Sequence, residues 1–94
     1  MSKSVDAVVI GGGIVGLSNA YWLAKRGLSV VLIEKGDLVA GTSARCDGNN
    51  YICDTAPGEV THTMKLAVSE VENLVKNELD ADVDWIENGM FTLA

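Results

Sequence analysis

A glycine-rich turn between an apolar run and a helical pattern is the feature that most constrains this chain. Residues 7–10 form a β-rich apolar run, and Gly11, Gly13 and Gly16 follow it with the spacing G-x-G-x-x-G. Gly11 allows a sharp turn, Gly13 allows a phosphate to approach the backbone, and Gly16 allows a helix to lie close to the strand. The stretch predicts a strand, a turn and a helix whose N-terminus binds a dinucleotide pyrophosphate.

The next residues extend this prediction. Residues 14–26 have apolar residues at helical spacing, and Gly27 is expected to end the helix. The apolar run 28–33 does not alternate, which predicts a parallel strand buried on both faces. Glu34 follows, where an acid can accept hydrogen bonds from an adenosine ribose. The alternative is a plain tight turn and a solvated acid, but the strand, helix and acid together favour dinucleotide binding.

Composition limits the remaining possibilities. The chain has 94 residues, 48% of them hydrophobic, and one proline, which favours a single α/β body with a modest core. Its net charge of -6 argues against a nucleic-acid partner. The acids concentrated in residues 59–87 are interpreted as a solvated helix face.

The sequence also predicts the cellular location of the protein and whether it binds a metal ion. We expect a cytoplasmic protein, because the sequence shows no signal peptide, no apolar run long enough to span a membrane, and no C-x-x-C pair. Cys46, Cys53 and His62 match no zinc spacing, so no metal site is expected.

The polar stretch 35–50 separates two classes of dinucleotide-binding domain. A nicotinamide-binding domain would normally continue into a second crossover helix and a third strand, whereas this stretch is rich in glycine, hydroxyl and amide residues. Such a loop can offer backbone amides, hydroxyls and one cation to a pyrophosphate or a flavin edge. It can equally be an ordinary surface loop, and the residues alone leave both readings open.

Three stretches resemble a known family. Residues 8–16, 32–36 and 41–45 (Gly-Thr-Ser-Ala-Arg) closely resemble the N-terminus of the FAD-dependent D-amino acid oxidase superfamily, which includes glycine oxidase and sarcosine oxidase. The resemblance implies an α/β fold: a Rossmann-like FAD-binding βαβ unit of a larger two-domain flavoprotein, followed by a helix and the start of a substrate-domain strand. It places the FAD-binding part at residues 1–56, an amphipathic helix at 57–82 and an incomplete strand segment of the substrate domain at 83–94.

The resemblance also implies the cofactor and its contacts. FAD is the expected cofactor, with main-chain contacts from Ile14 and Val15 to its pyrophosphate. The residues implied to bind it are Gly11, Gly13, Ile14, Val15, Gly16, Glu34, Lys35, Thr42, Ser43, Arg45 and Gly48. The sequence departs from the family at Cys46, where asparagine is frequent, and at Asn49, where glycine is frequent. A thioether from Cys46 to the flavin is a further hypothesis, and a free cysteine is the simpler one.

The C-terminal half predicts fewer features. Residues 51–53 are expected to be extended, and residues 59–79 to form a helix, whose predicted buried face comprises Val60, Met64, Ala67, Val71, Leu74 and Val75. His62, near the start of this helix, is interpreted as a half-exposed helix residue rather than a base. Asn88-Gly89 predicts a turn before a strand. No catalytic residue is identified.

The resemblance implies hydride transfer from an amino acid or a secondary amine to the flavin. Three alternatives stay open: an FAD-linked glycerol-3-phosphate or 2-hydroxy acid dehydrogenase, a nicotinamide-dependent Rossmann enzyme, and a non-catalytic nucleotide-binding subunit. Because the likeness covers only the first part of a typical family member, we expect a fragment or a subunit that needs the rest of its chain or a partner. Alone, it is expected to bind FAD poorly and to show no turnover.

Overall fold

The computed structural model describes residues 4–50, 52 and 55–89. Within these, the regular elements are β1 (Ala7–Ile10), α1 (Ile14–Lys25), β2 (Val30–Ile33), the short helix α2 (Thr42–Arg45), α3 (Glu59–Asn73) and a π-helical turn (Leu74–Glu78) that continues α3. The chain divides into two compact units, Met1–Asp47 and Gly48–Ala94, and each is described by itself.

The first unit is built on a β1–α1–β2 crossover. The two strands are parallel, with Ala7 opposite Val30 and Ile10 opposite Ile33. Both strands contact α1. The predicted first strand and helix are therefore confirmed, whereas β2 begins two residues later than predicted, at Val30. Gly27 ends α1 with φ +87°, as its C′ position predicted.

One expectation about this sheet is wrong. The second strand was predicted to be buried on both faces, but Val31 is 41% exposed and Ile33 is 51% exposed. Their register neighbours on β1, Val8 and Ile10, are exposed as well. The reason is that burial alternates along both strands, with the half-buried residues on one face. The unbroken apolar run predicted that other elements would cover both faces of the sheet, whereas the described residues cover only one face.

A pair of polar residues joins the starts of the two strands. Asp6 Oδ2 accepts hydrogen bonds from the Ser29 amide and hydroxyl, both at 2.8 Å. The Asp6 amide in turn donates to Ser29 Oγ at 3.0 Å. These bonds hold the pKa of Asp6 below its usual value, the backbone hydrogen bond from Ser29 contributing most.

The second unit consists mainly of α3 and the π-helical turn. Together they cover residues 59–78, close to the predicted helix 59–79. Met64, Leu74 and Val75 on the predicted apolar face are half-buried, but Val60, Val71 and Ala67 are exposed. The burial of that whole face was thus an overestimate, because helical periodicity reveals an apolar face without showing what covers it.

Residues 83–89 have no regular secondary structure. The remainder of the predicted C-terminal strand, together with Tyr51 and Cys53 of the predicted extended segment, lies outside the described residues. In the described ranges, every helix falls short of the length and apolarity needed to cross a membrane. The same ranges hold no cluster of three or more His, Cys, Asp and Glu residues suited to a metal ion.

Candidate dinucleotide-binding site

The glycine turn between β1 and α1 has the backbone geometry that its sequence predicted. Gly11 has φ +107°, a conformation that favours glycine, and its amide donates to the Ile33 carbonyl at 2.8 Å. A Cβ atom on Gly16 would overlap the carbonyl oxygen of Gly11 and would lie 3.4 Å from Val9 Cγ1. The two outer glycines therefore let α1 begin directly against the end of β1.

The middle of the turn is held by residues that follow β2. The Gly12 amide donates to Glu34 Oε2 at 2.7 Å, and the Gly12 carbonyl accepts from the Val39 amide at 2.8 Å. A Cβ on Gly12 would lie 2.7 Å from Leu38 Cδ2. In the described part of the chain, Gly12 is the one residue that is buried. The backbone amide and carbonyl of Gly12 both have hydrogen-bond partners within the protein, as burial requires.

Glu34 is oriented by two backbone amides. Its Oε2 faces Gly12 and its Oε1 accepts from the Gly36 amide at 3.0 Å. The hydrogen bond from Gly12 is the main reason that the pKa of Glu34 lies below its usual value, and the bond from Gly36 is the next. Each carboxylate oxygen keeps a lone pair. Glu34 is thus an ionised, oriented acceptor with capacity left for ribose hydroxyls.

The start of α1 is paired with the short helix α2, which the sequence did not predict. The amide of Ile14, the first residue of α1, donates to Ser43 Oγ at 2.9 Å. The same Oγ lies 3.3 Å from the position that a Cβ on Gly13 would take. Ser43 is half-buried, whereas its neighbours Thr42 and Ala44 are exposed.

Val39 adopts an unusual backbone conformation between Glu34 and α2. Its φ is +54°, in the left-handed region that a β-branched residue rarely occupies. The hydrogen bond from its amide to the Gly12 carbonyl accompanies this conformation. Strain of this kind persists when surrounding contacts fix the backbone, and it occurs frequently at binding sites.

Sequence reasoning missed three residues of this arrangement: Gly12, Leu38 and Val39. Gly12 stands at a variable position of G-x-G-x-x-G, so the motif gives it no role. Leu38-Val39 is an apolar pair inside an otherwise polar loop, and this was the signal that could have indicated a contact with the body of the unit.

The other residues predicted to contact the cofactor are exposed. Val15 is 73% exposed at the start of α1. Lys35 is exposed beside Glu34, and Thr42 and Arg45 are exposed on α2. Gly48 has φ +74° and belongs to the second unit. The cofactor contacts of all the predicted residues stay predictions.

Two side chains that raised other hypotheses are exposed. Cys46 is a free cysteine whose Sγ donates to the Ser43 carbonyl at 3.3 Å. Its proposed thioether to a flavin stays a prediction. His62 lies on the first turn of α3, where its amide donates to the Gly58 carbonyl at 3.0 Å, and its exposed position agrees with its interpretation as a surface helix residue.

The donors and acceptors around the glycine turn fit FAD. Gly11 and Gly13 present backbone without a Cβ beside the N-terminus of a 12-residue helix, where backbone amides and the helix dipole favour a phosphate group. Glu34 presents an oriented carboxylate that is suited to accept hydrogen bonds from a ribose. These groups are suited to opposite ends of the adenosine diphosphate part of the cofactor.

Comparison with known proteins gives the family. The family model of FAD dependent oxidoreductases matches residues 6–94. The sarcosine oxidase subunit beta of Arthrobacter sp is 38% identical over 98% of this chain and 23% of its own length. The anaerobic glycerol-3-phosphate dehydrogenase subunit A1 of Haloferax volcanii is 52% identical over 51% of this chain and 8% of its own length. Glycerol-3-phosphate dehydrogenase of Mycobacterium leprae is 52% identical over 47% of this chain and 8% of its length.

No solved structure matches the chain significantly. The chain spans less than a quarter of the length of these curated relatives. The family match extends through both compact units and includes the glycine turn, Glu34 and Ser43. The chain therefore belongs to the family of FAD-dependent oxidoreductases, with an N-terminal Rossmann-like unit for which FAD is the cofactor.

Proposed function

We propose that this chain is the FAD-binding N-terminal segment of an oxidoreductase that oxidises an amino acid or a secondary amine. The observation that carries the proposal is the extent of similarity to a sarcosine oxidase subunit, which covers 98% of the chain. The glycerol-3-phosphate dehydrogenase matches cover about half of it or less. Similarity confined to half of the chain reflects a shared cofactor motif more readily than a shared substrate.

When bound, FAD supplies the redox chemistry by accepting a hydride from the carbon next to the substrate nitrogen. The chain's own residues bind and orient the cofactor. Glu34 holds the ribose hydroxyls, because both of its oxygens are already directed by backbone amides. The start of α1 and Ser43 hold the diphosphate. Thr42, Arg45 and Gly48 line the remainder of the cofactor, and Lys35 lies beside the ribose.

The proposed protein requires more than this segment. The sarcosine oxidase relative, which matches 98% of this chain, is named as a subunit and is more than four times as long as the matching part. We therefore propose that further chain or a partner subunit completes the cofactor and substrate sites, in a protein of the cytoplasm. Co-purification with a second polypeptide, and activity confined to the complex, would identify a subunit.

A glycerol-3-phosphate dehydrogenase is the second candidate. It is favoured by the higher identity of those relatives, 52%, within the shorter matched region. In that case the substrate would carry a phosphate and a hydroxyl group in place of an amine.

Anaerobic reduction of the bound flavin distinguishes these candidates. The intact protein is loaded with FAD and mixed with sarcosine, glycine, a D-amino acid, glycerol 3-phosphate or a 2-hydroxy acid, and loss of flavin absorbance is followed. Reduction by an amine or amino acid alone supports the proposal. Reduction by glycerol 3-phosphate or a 2-hydroxy acid alone contradicts it, and failure to bind FAD contradicts the cofactor role itself.

A further inference from the structure

The loop that follows β2 contacts Gly12 on three sides. The Gly12 amide donates to Glu34 Oε2 at 2.7 Å, and the Gly12 carbonyl accepts from the Val39 amide at 2.8 Å. The third side is the α-carbon, where an added Cβ would lie 2.7 Å from Leu38 Cδ2 and 3.2 Å from both Cβ and Cγ of Glu34. The end of the Leu38 side chain and the stem of the Glu34 side chain therefore converge on the space that the glycine leaves open.

The two hydrogen bonds that orient Glu34 differ in their access to water. The bond from the Gly12 amide is 2.7 Å long and partly buried, whereas the bond from the Gly36 amide is 3.0 Å long and exposed. Gly12 is buried, and the heavy atom nearest to its open side belongs to Leu38. A hydrogen bond that is shielded from water is a firmer restraint, because water does not compete for the donor. Leu38 thus lies beside the shorter and more shielded of the two bonds.

The backbone of the loop holds Leu38 in this place. Val39, the next residue, has φ +54°, which a β-branched residue rarely adopts. Such a conformation persists where surrounding contacts fix the backbone, and here the contacts of Leu38 and Val39 with Gly12 do so. Leu38 is nevertheless 55% exposed. Its contact with Gly12 is therefore a local one, made at the end of the side chain and next to the carboxylate of Glu34.

We propose that Leu38 is a positioning residue that makes the site selective for a nucleotide with free ribose hydroxyls. Leu38 has no group that can form a hydrogen bond and acts through Glu34: it keeps the Gly12 amide bonded to Oε2, so that the carboxylate presents its remaining lone pairs in a fixed direction. An acceptor that is already oriented loses less entropy when a ribose binds than a carboxylate that rotates freely. This inference rests on the proposed role of Glu34 in holding the ribose.

Ligands that differ only in the ribose test the proposal in the intact, cofactor-free protein. ADP and dideoxy-ADP, which lacks both ribose hydroxyls, are titrated calorimetrically, and the ratio of their dissociation constants measures the selectivity for the hydroxyls. FAD is titrated in parallel. The variants are Leu38→Ala, Leu38→Met, Glu34→Gln and the combination of Glu34→Gln with Leu38→Ala. Leu66→Ala is the matched control, because Leu66 and Leu38 are both 55% exposed.

Wild type should bind ADP about 10- to 100-fold more tightly than dideoxy-ADP, as expected for hydrogen bonds to a charged acceptor. Leu38→Ala should lower this ratio about threefold or more, by weakening ADP binding. Leu38→Met, which keeps the volume and reach of the side chain, and Leu66→Ala should keep the wild-type ratio. In the Glu34→Gln background, Leu38→Ala should leave the ratio unchanged, since its effect requires the carboxylate.

Thermal unfolding without ligand shows whether each variant is folded. Should Leu38→Ala fail to fold, Leu38→Val replaces it, because its side chain is one carbon shorter and ends further from Gly12. It should lower the ratio in the same direction, and it too should have no effect in the Glu34→Gln background.

Three results overturn the inference. If Leu38→Ala leaves the ratio of wild type intact, whether or not it weakens both nucleotides, Leu38 does no more than anchor the loop. If it lowers the ratio equally in the Glu34→Gln background, Leu38 does not act through Glu34. If wild type binds neither FAD nor ADP, the proposed function fails first, and this result is distinct from both of the others.

Discussion

Different kinds of interaction stabilise each of the two compact units. In the first, hydrogen bonds join residues that are 22 to 29 positions apart: Gly12 with Glu34, Asp6 with Ser29, and Ile14 with Ser43. In the described residues of the second, side-chain hydrogen bonds span at most 11 positions, from Lys76 to Glu87. The first unit is thus stabilised by tertiary contacts, two of which lie at the candidate binding site, and the second by contacts within and next to a helix.

The units are alike in the apolar surface that each leaves exposed. Ile10 in the first unit is 84% exposed, and Ile86 in the second is 74% exposed. Within the described ranges, neither unit has a hydrophobic residue that is fully shielded from solvent. Differences in their stability should therefore follow from the hydrogen bonds and close backbone contacts, and four substitutions test this comparison.

The largest effect is expected from Gly16→Ala in the first unit. The added Cβ would overlap the Gly11 carbonyl oxygen, so α1 has to move away from β1. Overpacking against the backbone should lower the free energy of unfolding by about 3 kcal/mol or more and abolish FAD binding, as measured by denaturant unfolding and flavin fluorescence. Gly41→Ala is the control, because a Cβ there meets nothing within 4 Å. Equal stability of the two variants would show that the close approach does not hold this unit together.

Glu34→Gln should have the next effect, on binding more than on folding. Glutamine keeps one oxygen, so one of the two amides that now bond to Glu34, Gly12 or Gly36, loses its acceptor. We expect FAD affinity to fall about tenfold, because a hydrogen bond between charged and neutral groups contributes strongly to binding. Asp37→Asn, an exposed acid in the same loop, is the control in the same titration. A normal affinity of Glu34→Gln would remove Glu34 from the proposed site.

The same carboxylate predicts a pH dependence. The pKa of Glu34 is lowered on folding, chiefly by the Gly12 amide, so the unfolded chain binds its proton more tightly. Its contribution to stability is complete above its ordinary pKa of 4.5 and is lost as the pH falls through the lower, folded value. The free energies of unfolding of wild type and Glu34→Gln, measured with urea, should therefore differ by a constant amount above pH 4.5. The difference should shrink as the pH falls below that value. A difference that persists undiminished in acid would contradict this assignment.

Ser29→Ala should have a moderate effect on the same unit. It removes the hydroxyl that donates to Asp6 Oδ2 at 2.8 Å and accepts from the Asp6 amide at 3.0 Å. We expect a small fall in the free energy of unfolding, well below that of Gly16→Ala, since the site is exposed and water replaces the lost partners. Ser4→Ala, an exposed serine near β1, should leave it unchanged. A loss as large as that of Gly16→Ala would show that this pair, rather than the glycine turn, is the main tie between the strands.

The smallest effect is expected in the second unit, from Lys76→Gln. The Lys76 ammonium lies 2.6 Å from Glu72 Oε1 and 2.5 Å from Glu87 Oε1, but the lysine side chain is 46% exposed. Exposed ion pairs contribute little to stability and are screened by salt. The change in the free energy of unfolding should therefore be close to that caused by Lys65→Gln and should disappear at high ionic strength. An effect that exceeds that of Ser29→Ala and survives in high salt would break the distinction between the two units.

The sequence predicted the backbone path of the first unit well, because its signals are local. Gly11 and Gly27 were assigned to the positions where the chain takes positive φ values, and residues 7–10 were assigned to β1. Each of these predictions depends on neighbouring residues alone. The family and the cofactor followed from the resemblance of residues 8–16, 32–36 and 41–45 to a known family, and the family match confirms both.

Features that depend on distant contacts were not predictable in this way. The Ile14 amide was assigned to a phosphate, but nothing in the motif shows that Ser43 would lie beside it. Gly12 likewise required knowledge of Leu38, which is remote in sequence. The burial of Val31 was overestimated for a related reason, since hydrophobicity states what a residue favours and not which layer covers it.

The conformation of Val39 has a consequence for engineering a more robust protein. A β-branched residue at φ +54° carries strain that asparagine or glycine at that position would not. Both replacements keep the backbone amide that donates to Gly12. The loop packed against the glycine turn therefore contains a position where a single exchange can raise heat tolerance while leaving the hydrogen bond to that turn in place.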